Sequence, residues 1–217
     1  MQGILGFLVY TWHLRGQIVS LTAQHLLMSA EGIAIGTAVA VPAGVFISRR
    51  PAVGSLLVDS ASMLYTVPSL AMLGFLIPLL GLGWMLAVTA LAIYSLLPVL
   101  RNTYVGISQV DPAVREAALG MGATRNQLLF KIELPLALPL IMGGLRTVTV
   151  LTVGIATLGA LVGAGGLGVL IFTGMEDMDF RMLLAGTIPV ALLAVILDQI
   201  LAWIENRLRI RMGGAGG

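Results

Sequence analysis

The 217-residue chain has no cysteine and is short of charge, histidine and aromatics, and each shortage excludes a class of protein. Without cysteine there is no disulfide framework, no thiolate zinc site and no thiol nucleophile. Charged residues make up 10% of the chain, against about 25% in a soluble globular domain. His13 and His25 are its only histidines. Neither has a second donor at ligand spacing, so a metal site has no support. A Ser-His-Asp set, paired catalytic carboxylates and a G-x-x-x-x-G-K-[ST] phosphate loop are also missing, which leaves the chain without the means to hydrolyse ATP itself. The opening segment ILGFLVYTW lacks a basic start and a cleavage site, which argues against a cleaved signal peptide.

What is present is apolar: 58% hydrophobic residues and a mean hydropathy of +1.01. That is more apolar surface than one water-soluble core can bury. A hydrocarbon layer about 30 Å thick needs about 20 helical residues. Runs of that length fall at roughly 22–47, 56–80, 84–106, 135–161 and 181–206. They predict an all-α membrane protein of about five transmembrane helices. Residues 1–20 are too short to span and read as an interfacial segment. Residues 21–208 form the transmembrane domain, and 209–217 a tail.

The basic residues orient the spans. Arg49, Arg50, Arg101, Arg115, Arg125, Lys131, Arg207, Arg209 and Arg211 fall on one side when the spans alternate. Arg15 and Arg181 fall on the other, and Arg146 lies within span four. The positive-inside rule puts the larger set in the cytoplasm. The loop at about 108–134 and the C-terminus are then inside, with the N-terminus and the acidic turn of Glu176, Asp177 and Asp179 outside.

The 108–134 loop is a polar island in this apolar chain. Asp111-Pro112 reads as an N-cap carboxylate followed by proline at the first helical position. A short helix runs from Pro112 to about Met121, and Gly122 permits a sharp turn. Thr124 caps a second short helix to about Glu133, with Pro135 in the first turn of the next span. Ala117 and Ala118 leave a smooth face on this knob, and Glu116 offers a carboxylate to a partner or to the loop itself. A nucleic-acid face is disfavoured, because Asp111, Glu116 and Glu133 offset the basic charges and Phe130 is the loop's single aromatic.

Elsewhere, Gly163 to Gly168 reads GAGGLG and matches a dinucleotide fingerprint. It lacks the βαβ setting and the acidic ribose ligand that give that motif meaning, so a glycine-rich break or re-entrant turn is the better account. Gly32, Gly36, Ala40 and Gly44 recur every four residues as a helix-packing stripe. Glu31, Arg146 and Asp198 are ionisable groups inside apolar runs, which must face protein or water. An internal ion pair is the preferred reading for Arg146, and Asp198 reaches for an arginine. Tyr65, Trp84, Tyr94 and Tyr104 are candidate aromatics for interfacial belts or for a quaternary ammonium. Tyr65, Thr66, Pro68, Ser69 and Tyr94 are the candidate substrate-pathway residues; helix–helix contact is the competing reading of the polar ones.

Glu116-Ala117-Ala118, Gly122, Ile132, Leu134 and Pro135 fill the pattern E-A-A-x3-G-x9-I-x-L-P, which resembles the coupling loop of membrane subunits of ATP-binding cassette importers. The strings 111–147, 152–172 and 24–45 are similar to permeases for glycine betaine, carnitine, choline and other osmoprotectants, and the likeness covers roughly residues 20 to 208. The resemblance implies a type I importer permease fold. It implies docking of a cytoplasmic ATPase dimer through Arg115, Glu116, Ala117, Ala118, Gly120, Gly122 and Thr124. It further implies a second permease subunit, identical or related, and an extracytoplasmic binding protein, which the short end MGGAGG leaves as a separate chain. ATP and magnesium would be held by the ATPase, with no cofactor in this chain, and the location is a bacterial or archaeal plasma membrane. The competing readings are an importer permease for another small solute, such as methionine or a sulfonate, and a membrane scaffold or intramembrane enzyme.

Overall fold

The computed structural model describes residues 2–211, and the expected tail MGGAGG lies outside the described residues. Its elements are helices α1 (Gln2–His13), α2 (Arg15–Ser48), α3 (Pro51–Tyr65), α4 (Ser69–Leu80), α5 (Trp84–Ser108), α6 (Pro112–Gly120), α7 (Arg125–Leu128), α8 (Leu134–Ile155), α9 (Gly168–Glu176) and α10 (Phe180–Arg211). A π-helical turn, Leu129–Glu133, joins α7 to α8, and a 3-10 segment, Ala156–Val162, extends α8. No strand occurs among the described residues.

Four helical stretches are long and apolar enough to cross a membrane, and a bent pair makes a fifth. At 1.5 Å per residue, α2 with 34 residues and α10 with 32 are about 50 Å long, well beyond the hydrocarbon thickness. Their ends therefore project from it or the helices tilt.

The expected single span at 56–80 is instead two helices, α3 and α4, bent by 95°. The cause is local. Pro68 has no N–H to continue the ladder and forces Val67 out of the helical region. Pro68 is extended, at φ −58° and ψ 138°. The break is satisfied by side chains: the Thr66 hydroxyl donates to Met63 O at 2.7 Å, and the Tyr94 hydroxyl donates to Val67 O. Pro42, Pro98, Pro139 and Pro189 sit inside continuous helices.

The stripe on α2 packs within the chain. Gly32, Gly36, Ala40 and Gly44 are buried, and they admit α5 to close range. A Cβ at Gly36 would lie 2.6 Å from Ala92 O, and one at Gly44 would lie 2.6 Å from Thr103 Cβ. The main core gathers Met28, Met72, Leu73, Leu86, Leu91 and Tyr94 between α2, α4 and α5. On α10, Leu192, Val195, Ile196, Ile200 and Trp203 are exposed. In water that face would be an aggregation liability; in lipid it is the expected surface.

The glycine-rich run is a chain break, as expected. Gly163, Gly165 and Gly166 all have positive φ, between 74° and 83°, where a side chain is strained. Gly166 N donates to Gln24 Oε1 at 3.2 Å, which anchors the turn on α2. Nearby, His25 is fully buried with Nε2 2.9 Å from Val153 O, and a carbonyl only accepts, so Nε2 carries the proton. At the α9–α10 turn Asp179 caps α10, accepting from Arg181 N at 2.9 Å and Met182 N at 3.3 Å. The Tyr10 hydroxyl donates to the same carboxylate at 3.1 Å and ties α1 to this end of the bundle.

A candidate coupling loop and its buried anchor

The loop between α5 and α8 is built by local chemistry. Asp111 Oδ1 accepts from Ala113 N at 2.8 Å, and Pro112 occupies the first turn of α6. α6 ends in a Schellman motif: Ala123 N donates to Ala118 O at 3.0 Å and Gly122 N to Leu119 O at 2.9 Å, with Gly122 at φ +84°. Thr124 and Gln127 then form a reciprocal capping box, at 2.8 and 3.3 Å. The second helix does not stop at Glu133. It runs from Arg125 through the π-turn into the span, continuous to Val162. Pro135 therefore lies inside a continuous helical stretch, just after the π-turn where the hydrogen-bond ladder changes register. The knob is thus α6 laid beside the protruding start of one long helix.

The seven expected coupling residues divide by exposure. Glu116, Ala117, Gly120, Gly122 and Thr124 are exposed, and Arg115 is half-buried. Ala118 is turned inward and buried against its own chain, so the smooth outward face does not include it. Glu116 forms no ion pair among the described residues, although the loop carries several cations. Val114 and Leu119 on α6 and Met121 just beyond it are also exposed, Met121 at 83%. Exposed apolar side chains on an otherwise polar loop are the composition of a protein contact. Counting charges alone missed them; the available signal was three apolar residues inside an otherwise polar stretch.

Beneath the knob lies a group the sequence reading passed over. Glu133 is fully buried. Arg49, at the end of α2, grips it as a fork, with Nη1 3.0 Å from Oε1 and Nη2 on Oε2. Arg115, on α6, brings Nε to 3.1 Å from Oε1, an ion-pair contact without hydrogen-bond alignment. Its Nη2 donates to Ile107 O in the last turn of α5, where a cation suits the helix dipole.

The candidate pathway residues gather at the α3–α4 break. Tyr65 and Tyr94 meet edge to face with ring centroids 5.8 Å apart. Both line a cavity of about 180 Å³ with Ala61, Leu64, Met72, Ile93, Leu96 and Leu97. Pro68 makes the break and Ser69 begins α4, whereas exposed Thr66 only closes the end of α3. Between α8 and α10 the half-buried Arg146 and Asp198 form the expected ion pair, with Nε–Oδ1 at 2.5 Å and Nη2–Oδ2 at 2.9 Å. Glu205 stands 3.7 Å from the same guanidinium. Glu31 accepts from the Trp84 indole at 2.7 Å.

Known structures share this architecture, a multi-span helical bundle with one capped helical knob at its end. The chain superposes on the inward-facing MetNI methionine ABC transporter with a TM-score of 0.77, covering 85% of this chain and 93% of that one at 20% identity. It also superposes on an amino acid ABC transporter with a TM-score of 0.72, covering 92% and 97% at 20% identity. At such identities the likeness is one of fold.

Residues 32–210 match the family described as "Binding-protein-dependent transport system inner membrane component", and the chain belongs to it. It is 41% identical to the osmoprotectant import permease protein OsmW of Salmonella typhimurium, over 90% of this chain and 91% of that one. It is 43% identical to the carnitine transport permease protein OpuCB of Listeria monocytogenes over the same shares. With the choline transport system permease protein OpuBB of Bacillus subtilis it shares 40% identity, over 89% of each. The chain is a multi-pass transport permease subunit of a binding-protein-dependent importer.

Proposed function

We propose that this permease carries osmoprotectants bearing a quaternary ammonium, such as glycine betaine, carnitine or choline. The observation that carries the substrate class is the 40–43% identity, across about nine-tenths of the chain, to permeases named for such solutes. The α6 knob docks a cytoplasmic ATPase dimer, which holds ATP and magnesium. A second permease, identical or related, completes the pathway, and a separate extracytoplasmic binding protein delivers substrate. The distribution of Lys and Arg supports the N-terminus outside and the C-terminus in the cytoplasm.

The contact surface is the exposed side of α6, Glu116, Ala117 and Leu119, followed by Met121 and the Gly122 turn. Arg115 holds that helix to the bundle. In the pathway, the tyrosine faces at the Pro68 break suit a cation without N–H donors, which aromatic rings attract by their quadrupole. Closing and opening of the Tyr65–Tyr94 contact would then gate passage.

The test is ATP-dependent uptake by the chain reconstituted in liposomes with its ATPase and binding protein, using radiolabelled glycine betaine, carnitine and choline. Uptake of at least one of them is expected. Uptake of none, with the assembled complex still hydrolysing ATP, would discard the substrate class and keep the importer.

A further inference from the structure

We infer that Glu133 is a positioning residue that carries displacement of the α6 knob into the membrane bundle; this rests on α6 being the ATPase-docking element. Glu133 is fully buried, and a lone carboxylate there would be strongly unfavourable. What holds it is two guanidinium groups from separate elements: Arg49 at the end of α2 and Arg115 on α6. Arg115 also grips the last turn of α5 through Ile107 O. Glu133 itself closes the π-turn that begins α8. The carboxylate therefore joins α2, α6 and the start of α8 directly, and α5 through Arg115.

The arrangement is suited to transmission rather than simple adhesion. It holds two cations and one anion, so loss of the Glu133 charge leaves Arg49 and Arg115 repelling each other across the gap. The fork from Arg49 fixes direction as well as distance. Its anchor is a π-turn, a poorer geometry than the α-helix on either side and a place where helices yield. A push on α6 thus reaches α2, α5 and α8 together, and α2 is the helix most intimately packed on α5 through its glycine stripe. Glu133 does not touch the exposed face of the knob, and α6 keeps its own caps and the Arg115 bond to Ile107 O when the charge is removed, so the docking side chains themselves are unchanged.

The experiment compares uptake per ATP hydrolysed in the reconstituted complex for wild type, Glu133→Gln, Glu133→Asp and Arg49→Gln. Glu133→Gln is expected to assemble with the ATPase and retain ATP hydrolysis while uptake per ATP falls by about fivefold or more, the range of a typical coupling energy. Glu133→Asp should recover part of the ratio. Arg49→Gln, whose side chain is partly exposed and whose loss leaves the Arg115 contact, should fall in the same direction by less. Uptake and hydrolysis dropping in proportion in the assembled variants, or an unchanged ratio, would overturn the inference. If Glu133→Gln fails to fold, an unchanged ratio in Arg49→Gln overturns it alone. Failure of the wild-type chain to bind the ATPase is a different result, and it removes the docking reading on which the inference stands.

Discussion

Asp179 shows how one side chain can tie two ends of the chain together. Burial pushes its carboxyl up, but the N–H groups of Met182 and Arg181, the Tyr10 hydroxyl and the Arg181 charge outweigh that, and it titrates below the ordinary carboxylate range. A folded-state value below the unfolded one adds stability that is complete above about pH 4 and disappears as pH falls through the lowered value. Asp179→Asn can still cap α10 but has no charge to lose. Thermal unfolding in detergent should therefore find wild type above Asp179→Asn at pH 7, with the gap closing on acidification toward pH 3. A gap independent of pH would contradict this assignment. The Arg146–Asp198 pair makes a second prediction at this scale. Arg146→Leu alone strands a carboxylate in the bundle and should lower the unfolding midpoint, whereas Arg146→Leu with Asp198→Leu should recover most of the loss. Equal losses in the single and double variants would show that the pair is not what matters.

At the scale of elements, the outcome depends on how far apart the cause and the effect lie in the sequence. The α6 helix and its turn were legible because every device is local: Asp111 with Ala113, Thr124 with Gln127, and a glycine where the backbone needs positive φ. Gly122→Ala would put a side chain in the left-handed region at a cost of about 1–2 kcal/mol, and should weaken ATPase association without changing the helical circular dichroism. The stripe on α2 was legible as packing but not as packing on α5, which only the tertiary structure assigns. Gly36→Ala should destabilise by about 1–3 kcal/mol through overpacking. Gly143→Ala, where an added Cβ meets nothing within 4 Å, should be near neutral in the same unfolding assay. The bend at Pro68 escaped a hydropathy reading, since the run from 56 to 80 is apolar overall and five other prolines, Pro42, Pro78, Pro98, Pro139 and Pro189, are absorbed by their helices. What distinguishes Pro68 is the partner supplied by Tyr94, 27 residues on, to the carbonyl that the break leaves open.

Seen as a whole, the molecule is a lipid-facing bundle with one water-facing knob, and the two are joined by buried charge. The bundle and four of its five expected spans follow from composition and run length alone; the fifth, at 56–80, is a pair of helices bent by 95°. The buried anchor does not, because Glu133 and Arg49 are 84 residues apart and each has an ordinary local explanation, as a loop charge and as a topogenic arginine. Family membership supplies what geometry cannot, namely that the bundle belongs to a binding-protein-dependent importer. The outer face of α6 is the proposed ATPase-docking surface. The absence of cysteine makes it directly testable, since a single introduced thiol is unique. Ala117→Cys places one on exposed α6, and Met178→Cys places one at the opposite end of the bundle, on a side chain 92% exposed. With a short thiol-to-amine crosslinker and the co-expressed ATPase, Ala117→Cys should give a crosslinked permease–ATPase band that is lost without the partner, and Met178→Cys should give none. No band from Ala117→Cys, or equal bands from both positions, would contradict the account.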